Sequence, residues 1–414
     1  MITTTEKINS FDFYESLIGC APADSLFFDI ETTGLSASSA VVFLIGAVYF
    51  DGKDWLLTQW LAQSQQEEAA LLCSFFEKAA SYSTLIHFNG TTFDLPFLQA
   101  RAKHCQLSDP LPALRSVDLY QSFRPLKKLL GLHRMNQSTL EQAVGWQRED
   151  RLTGQMMIRL YKAYTASLDP NILALLLLHN HDDMLGMTKI LSLAAFSPLL
   201  MGNVETAGSS LEGGSLLIRF TLKFPLPLPY TYSGNDISPE CANLSEANLN
   251  DMPHMPNAPD INCSDISHVP DTSDSDTAPE HAPHPDYMLS VTNMEGLLRI
   301  PLFTGELRYF FEDYKHYFYL PLEDQAIHRS VGLYVDKEHR IPAKPDTCYI
   351  RKTGCFLPQP GDLFQPSFRK EFSDPQRYFL YPDDGFDPET LVQYTGALLK
   401  EYFQKQHIKS GLIL

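Results

Sequence analysis

The sequence contains no Cys-x-x-Cys pair among its seven cysteines and no uninterrupted apolar run of membrane-spanning length. Without paired cysteine spacing, neither a zinc knuckle nor a regular disulfide framework is indicated, and reduced thiols fit the cytoplasm. The densest aliphatic run, residues 172–178, is far shorter than the ~20 residues that cross a bilayer. The N-terminus lacks a basic region followed by an apolar core, so no secretory signal is indicated. We therefore expect a cytoplasmic protein without a membrane partner.

One stretch of the chain lacks both basic and aromatic residues. Residues 233–285 contain no Lys, Arg, Phe, Trp or Tyr, but they contain ten Asp and Glu. Such a composition supplies charge without the apolar area that ordering requires, so we expect a disordered acidic insertion. It accounts for ten of the 18 net negative charges. Residues 101–162 have the opposite balance, with eleven Lys and Arg against five Asp and Glu, which would allow a local basic surface.

The order of apolar patterns in the first half predicts an α/β fold. Three short apolar segments predict strands, a segment with 3.6-residue periodicity predicts a helix, and a further strand and a long, largely buried helix follow. These elements are expected at residues 25–31, 41–50, 55–61, 67–80, 84–88 and 171–196. The order predicts a mixed sheet flanked by helices.

The second half predicts a smaller, β-rich α+β domain. Strand-like alternation occurs at residues 215–224, 288–291 and 297–303, and a C-terminal helix is expected at 391–406. Because strand signals lie on both sides of it, the acidic stretch is expected to interrupt this domain. The expected division is an N-terminal segment 1–24, an α/β domain 25–200, a second domain 210–232 and 286–414, and the insertion 233–285.

Two carboxylates on the first predicted strand of the α/β domain are candidate metal ligands. Asp29 and Glu31 are two residues apart, so both side chains point to one side of the sheet. Neighbouring carboxylates on a buried strand repel each other unless a cation lies between them. The alternative is a strand end with two surface acids.

Two further motifs carry polar groups, one after an apolar strand and one inside the long apolar helix. Asp94, in Phe-Asn-Gly-Thr-Thr-Phe-Asp, is expected in the first turn of a helix for which Thr92 is a candidate N-cap. In Leu-His-Asn-His-Asp-Asp of the long helix, His179 and Asp183 are four residues apart and share a face. Taken singly, Asp94 could simply complement the helix dipole and His179 could be an ordinary core histidine.

Together and in this order, the three motifs resemble those of the DEDD (DnaQ-like) exonuclease superfamily, and most closely its YprB-type ribonuclease H-like family. The segment that begins Val-Asp-Leu-Tyr at Val117 and the segment Leu-Glu-Gln-Ala-Val-Gly-Trp-Gln-Arg-Glu-Asp-Arg-Leu-Thr-Gly also resemble that family. The resemblance covers residues 26–196. It implies a ribonuclease H-like fold, with Asp29, Glu31, Asp94 and Asp183 as metal ligands and His179 as catalytic base rather than an obligatory ligand.

The chain departs from the superfamily at the base. In its histidine subclass the base lies five residues before the last Asp, where this chain has Leu178; the tyrosine subclass has its base four before, at the position of His179. The resemblance implies two-metal hydrolysis of phosphodiester bonds in DNA or RNA, with 3'-to-5' exonuclease action at a single-stranded end. Oxygen ligands favour two Mg²⁺ or Mn²⁺ ions as cofactors.

Other residues are weaker candidates for substrate binding. Asn89 could position a phosphate or a ligand carboxylate, and Arg124, Lys127 and Lys128 could contact phosphates, although a solvated basic face would explain these three equally well. The alternative function is a non-catalytic ribonuclease H-like module that binds nucleic acid or protein. Nothing in the sequence identifies protein partners.

Overall fold

The computed structural model describes residues 1–233 and 287–406. In the first half, one sheet is formed by β1 (Ile2–Lys7), β2 (Ser25–Thr32), β3 (Val42–Phe50), β4 (Trp55–Leu61), β5 (Thr84–His87) and β6 (Arg115–Asp118). The helices around it are α1 (Glu15–Ile18), α2 (Glu68–Ala79), α3 (Asp94–His104), α4 (Leu119–Phe123), α5 (Leu126–Leu129), α6 (Gln137–Ala143), α7 (Gly154–Ser167), α8 (Pro170–Ile190) and α9 (Phe196–Leu200).

The first sheet is mixed, with strand order β1-β4-β3-β2-β5-β6. Strands β1 to β4 pair antiparallel, whereas β5 pairs parallel with both β2 and β6. The N-terminal segment contributes to this sheet, because β1 pairs along its whole length with β4. The mixed sheet flanked by helices has the architecture expected of a ribonuclease H-like fold, which confirms the predicted fold class.

Local sequence explains the elements that carry the site. Helices α2 and α8 contact β3, and eight of its nine residues are buried, so it appears in the sequence as a continuous apolar run. Helix α8 begins at Pro170, where a missing N–H costs nothing, and the Asp169 side chain caps it by accepting the N–H of Asn171. The resulting helix crosses the face of the sheet that holds the carboxylates.

One helical stretch in the described part of the chain, Pro170–Leu200, is long and apolar enough to cross a membrane by length and composition. Most of its apolar window, 78%, is buried inside the protein. Its apolar surface is therefore used in packing against the sheet and the second half of the chain.

The described residues of the second half include the strands β7 (Thr206–Glu212), β8 (Ser215–Thr221), β9 (Tyr230–Ser233), β10 (Met288–Thr292), β11 (Glu295–Pro301), β12 (Phe303–Phe310), β13 (Tyr317–Leu320), β14 (Gln325–His328), β15 (Ile341–Pro342), β16 (Tyr349–Gln359) and β17 (Arg377–Leu380). These strands form three antiparallel sheets, ordered β7-β8-β11-β10-β9, β12-β16-β17 and β14-β13-β15. The helices are α10 (Arg329–Gly332) and α11 (Pro388–Lys405). The β-rich character expected here is confirmed.

The two halves share a hydrophobic core. One cluster of buried side chains runs from Phe27 and Met187 in the first half to Ile218 and Leu398 in the second. The predicted insertion, apart from Ser233 at the end of β9, lies outside the described residues.

Two sequence-based expectations need correction. Helix α3 begins at Asp94 and is not capped by Thr92, whose hydroxyl instead donates to the backbone carbonyl of Asn89. Arg101, one of the eleven basic residues at 101–162 that would allow a basic surface, is 4% exposed and makes paired hydrogen bonds to the buried Glu68. A charge count along the chain cannot distinguish such an internal ion pair from a surface.

Candidate metal centre

The side chains of Asp29 and Glu31 project from the same face of β2. Asn180 of α8 donates its side-chain N–H to Asp29 Oδ2 over 3.2 Å. Glu31 Oε1 lies 3.3 Å from Nε2 of His179 on the same helix. Alternation along the strand therefore directs both carboxylates toward α8, as the spacing predicted.

Asp94 reaches this group from the start of α3. The helix follows directly after β5 and its turn, and Asp94 lies in its first turn, as expected. Its Oδ1 accepts the backbone N–H of Ile30 over 3.3 Å. Since Ile30 lies between Asp29 and Glu31, this hydrogen bond ties the third carboxylate to the strand that carries the first two.

Helix α8 supplies the remaining groups. His179 Nε2 lies 3.5 Å from Asp183 Oδ2, one turn further along the helix. Glu31, His179 and Asp183 each offer one ligand atom, and these atoms lie within 4.8 Å of one another. Their side chains are at most 17% exposed. Among the described residues, these three form a group that could hold a metal ion.

The carboxylates interact strongly with one another. Burial raises the pKa of Asp29 well above its usual range, and the charges of Asp183, Asp94 and Glu31 raise it further. Burial is also the largest cause that raises the pKa of Asp94 to about 7. The pKa values of Glu31 and Asp183 are likewise raised by burial, although His179 opposes both shifts and Arg148 opposes that of Asp183. The cluster is thus short of positive charge.

The ring of His179 makes a hydrogen bond to Asp150 through the nitrogen that faces away from the other carboxylates. Its Nδ1 lies 2.5 Å from Asp150 Oδ2, so the ring bridges Asp150 and Glu31. Burial lowers the pKa of the imidazole, but the Glu31 hydrogen bond, the charges of Asp183 and Glu31 and the Asp150 hydrogen bond together raise it to about 9. Asp182 fixes the backbone of the loop between α6 and α7 that carries Asp150, because its Oδ2 accepts the N–H groups of Glu149 and Asp150, each over 2.8 Å.

Asp183 has a cationic partner. Arg148 Nη1 lies 2.6 Å from Asp183 Oδ1. The same guanidinium makes two hydrogen bonds to Glu141, which is only 1% exposed. Burial disfavours the charged guanidinium, yet the two carboxylates outweigh it and raise the pKa of Arg148. Gly186 leaves the room that Glu141 occupies, because a Cβ there would collide with its carboxylate.

The four weaker candidates for substrate binding lie outside β2, α3 and α8. Asn89 adopts a left-handed conformation, and its side-chain oxygen accepts the hydroxyl of Thr92, so the amide is engaged within its own turn. Arg124, Lys127 and Lys128 are exposed on and beside α5, and Lys128 donates to the backbone of Gln406. They are carried by a different element from those that bear the carboxylates.

Three residues that contact the cluster were not identified from the sequence: Asp150, Arg148 and Asn180. Asp150 and Arg148 lie in an irregular segment before α7, where no periodicity indicates which way a side chain points. Asn180 lies within the His-Asn-His-Asp-Asp motif, which is the sequence feature that could have identified it as a residue of the site. Its role depends on packing, because it donates to Asp29 while accepting from Gln59.

Comparison with known proteins agrees with this architecture. Residues 26–195 match the model of the RNase_H superfamily. Over 172 residues the chain is 29% identical to the uncharacterized protein YprB of Bacillus subtilis, and the match covers 40% of either chain. Less than two thirds of YprB is therefore matched.

Among solved structures, the chain is similar to a family B DNA polymerase from Pyrobaculum calidifontis, with 17% identity and a TM-score of 0.34 over 44% of this chain and 26% of that one. It is also similar to E. coli exonuclease I in a complex with single-stranded DNA, with 13% identity and a TM-score of 0.26 over 50% and 53% of the two chains. The family match and the resemblance to YprB, with the mixed sheet, assign residues 26–195 to the ribonuclease H superfamily as a domain of the YprB type.

Proposed function

We propose that the protein is a metal-dependent nuclease that hydrolyses phosphodiester bonds of nucleic acid, and that it acts as a 3'-to-5' exonuclease on DNA or RNA ends. The observation that carries the proposal is the grouping of Asp29, Glu31, Asp94 and Asp183 from β2, α3 and α8. Acidic residues from three separate elements raise one another's pKa values there, which is a cost to folding unless a cation offsets it.

The residues fit divalent ions. Carboxylate oxygens are the ligands that Mg²⁺ and Mn²⁺ prefer, and burial strengthens their attraction to an ion. In the proposal, Asp29, Glu31, Asp94 and Asp183 hold two such ions. When bound, divalent ions supply the positive charge that stabilises the transition state of phosphodiester hydrolysis.

The protein's own contribution is orientation. The side chain of Asn180 holds Asp29, and the guanidinium of Arg148 holds one oxygen of Asp183, so that both carboxylates are fixed before substrate arrives. His179 faces Glu31 and Asp183 and is fixed by Asp150. Preorganised groups of this kind avoid the cost of reorganisation during the reaction.

The test is a nuclease assay with end-labelled single-stranded and duplex DNA and RNA, in Mg²⁺ or Mn²⁺ and with EDTA as the blank. Exonuclease action predicts stepwise shortening that a blocked 3' end prevents and that circular substrates resist. Asp29→Asn and Asp183→Asn should abolish the activity, whereas Glu77→Gln, at an exposed position of α2, should retain it. A well-folded wild-type protein that cleaves none of these substrates would favour a non-catalytic binding module.

A further inference from the structure

The metal site proposed above has a nitrogen atom among its oxygens. On that basis we infer that His179 is a metal ligand, oriented by Asp150, and that the site prefers Mn²⁺ to Mg²⁺. This role differs from that of the catalytic base implied by the family resemblance.

The first ring nitrogen is already engaged. Nδ1 lies 2.5 Å from Asp150 Oδ2, and an ionised carboxylate can only accept a hydrogen bond, so Nδ1 carries a hydrogen and donates it. The lone pair available for an ion is then on Nε2. A histidine whose far nitrogen donates to a carboxylate is the usual arrangement of a metal-binding imidazole in proteins.

The second ring nitrogen faces two carboxylates. Nε2 lies 3.3 Å from Glu31 Oε1 and 3.5 Å from Asp183 Oδ2. Adjacent ligands of a six-coordinate ion with bonds of about 2.1 Å lie about 3 Å apart, so these separations need only small adjustments. Without an ion, a proton on Nε2 satisfies the same oxygens; an ion replaces that proton, which leaves to solvent.

The two aspartates that orient His179, Asp150 directly and Asp182 through the backbone, are buried. Asp150 is 8% exposed, and its other carboxylate oxygen accepts the backbone N–H of Leu152 over 2.9 Å. Asp182 is 2% exposed and holds the backbone at Glu149 and Asp150 through two hydrogen bonds. A general base must face the attacking water, whereas Nε2 faces the two carboxylates that a shared ion would bind.

A nitrogen ligand alters the choice of ion. Mg²⁺ binds almost entirely through oxygen, whereas imidazole suits first-row transition ions, and Mn²⁺ accepts both kinds of donor. A site with Glu31, Asp183 and His179 should therefore bind Mn²⁺ more tightly than Mg²⁺. Four carboxylates alone would discriminate less between the two.

The test measures metal binding by the full-length, metal-free protein in the absence of nucleic acid. Isothermal titration with Mn²⁺ and with Mg²⁺ is made on the wild type, on His179→Ala and on Asp150→Asn, with His133→Ala as a control at an exposed position. Pulsed electron paramagnetic resonance of the Mn²⁺-loaded protein gives an independent readout, because a directly bound imidazole nitrogen modulates the signal. Circular dichroism establishes that each variant is folded, and His179→Gln serves if the alanine variant is not.

We expect the wild type to bind Mn²⁺ at least about tenfold more tightly than Mg²⁺, and Asp150→Asn to weaken Mn²⁺ binding by about 10–100-fold. His179→Ala should weaken Mn²⁺ binding comparably, abolish the nitrogen modulation and change Mg²⁺ binding far less. His133→Ala should match the wild type. Mn²⁺ binding that His179→Ala leaves unchanged, or a wild-type signal without nitrogen modulation, would overturn the ligand role while leaving the nuclease proposal standing. Binding of neither ion by the wild type would overturn both.

Discussion

Arg148 and His179 face different oxygens of the Asp183 carboxylate, with the Arg148 guanidinium 2.6 Å from Oδ1 and His179 Nε2 3.5 Å from Oδ2. The guanidinium is itself fixed by Glu141, which is almost fully buried. The candidate metal centre thus includes a cation supplied by the protein. Removing one member of such a buried pair leaves the other charge without a partner, which costs far more than removing both.

Arg148→Met should therefore lower the free energy of unfolding by about 3 kcal/mol, because it leaves the buried Glu141 carboxylate unpaired. The double variant Glu141→Gln/Arg148→Met should recover much of that loss, since a neutral amide at position 141 can still accept the hydrogen bond from Gln137. Urea denaturation in EDTA measures the free energy of unfolding of both variants. Equal destabilisation in the single and double variants would show that the unpaired Glu141 is not the cause, and would assign the loss to Asp183, the other partner of Arg148.

Asp29→Asn should stabilise the metal-free protein. The pKa of Asp29 is raised by burial and by its neighbouring carboxylates, so its charge opposes folding at neutral pH, and a neutral amide removes that opposition. We expect a melting temperature in EDTA that is higher by about 2–4 °C, together with loss of Mn²⁺ binding.

Asp51→Asn is the matched control for this variant. Asp51 is exposed, and the backbone N–H groups of Asp54 and Lys53 lower its pKa, so its charge favours the folded state. Its replacement should not raise the melting temperature. A stabilisation of the same size in both variants would indicate a general effect of reduced net charge.

The parts of the fold that could be predicted are those with regular apolar patterns. Strands β2 to β5 and helix α2 lie within one residue of their expected bounds, because each presents an apolar run or a 3.6-residue period. Strand β1 carries no such pattern: at the edge of the sheet, its sequence Ile-Thr-Thr-Thr-Glu-Lys is largely exposed. Its place is decided by pairing with β4, where the partner residues are 49 to 59 positions away, from Lys7↔Leu56 to Ile2↔Leu61.

The same distinction applies to the site. Asp29, Glu31 and Asp183 are grouped because strand and helix periodicity fixes which way they point, and the structure brings Asp94 beside them. Their roles as ligands, and that of His179, stay predictions. Asp150 and Arg148 approach from a loop, and the direction of a loop side chain depends on tertiary packing that no local pattern encodes.

Gly46→Ala should disturb the site from the opposite strand. Gly46 pairs with Asp29 across β2 and β3, and an added Cβ would lie 2.3 Å from Asn180 Oδ1 and 2.8 Å from Met184 Cγ. Helix α8 must then move away from the sheet and draw Asn180 from Asp29. We expect a loss of about 1–3 kcal/mol in the free energy of unfolding, as for other overpacked cores, and weaker Mn²⁺ binding.

Gly208→Ala provides the comparison for Gly46→Ala, because a Cβ at Gly208, in strand β7, meets no atom within 4 Å. Its effect on stability should stay within about 0.5 kcal/mol, as for ordinary surface substitutions. Normal Mn²⁺ binding in Gly46→Ala would mean that α8 can shift without disturbing Asp29.

Burial of His87 makes the free energy of unfolding depend on pH. It is 1% exposed, its Nδ1 accepts the N–H of Gly90 over 3.0 Å, and its Nε2 lies 2.7 Å from the hydroxyl of Ser116, so the neutral ring is fully engaged. Burial lowers its pKa to about 4 from the ordinary value of 6.5, against the opposing charge of Asp118. Between these two values the unfolded chain binds a proton that the folded protein does not.

The contribution of His87 to the free energy of unfolding is therefore fully present above pH 6.5 and is lost as the pH falls toward 4. Because its pKa is lowered to about 4, this loss is at most about 3 kcal/mol. Urea denaturation of the wild type and of His87→Gln at pH 7.5, 6 and 5 measures it, since the variant cannot take up this proton. The carboxylates with raised pKa values act in the opposite direction, but they do so in both proteins and cancel in the difference. The wild type should lose stability relative to His87→Gln as the pH falls, and parallel pH profiles would show that His87 is not buried as a neutral ring.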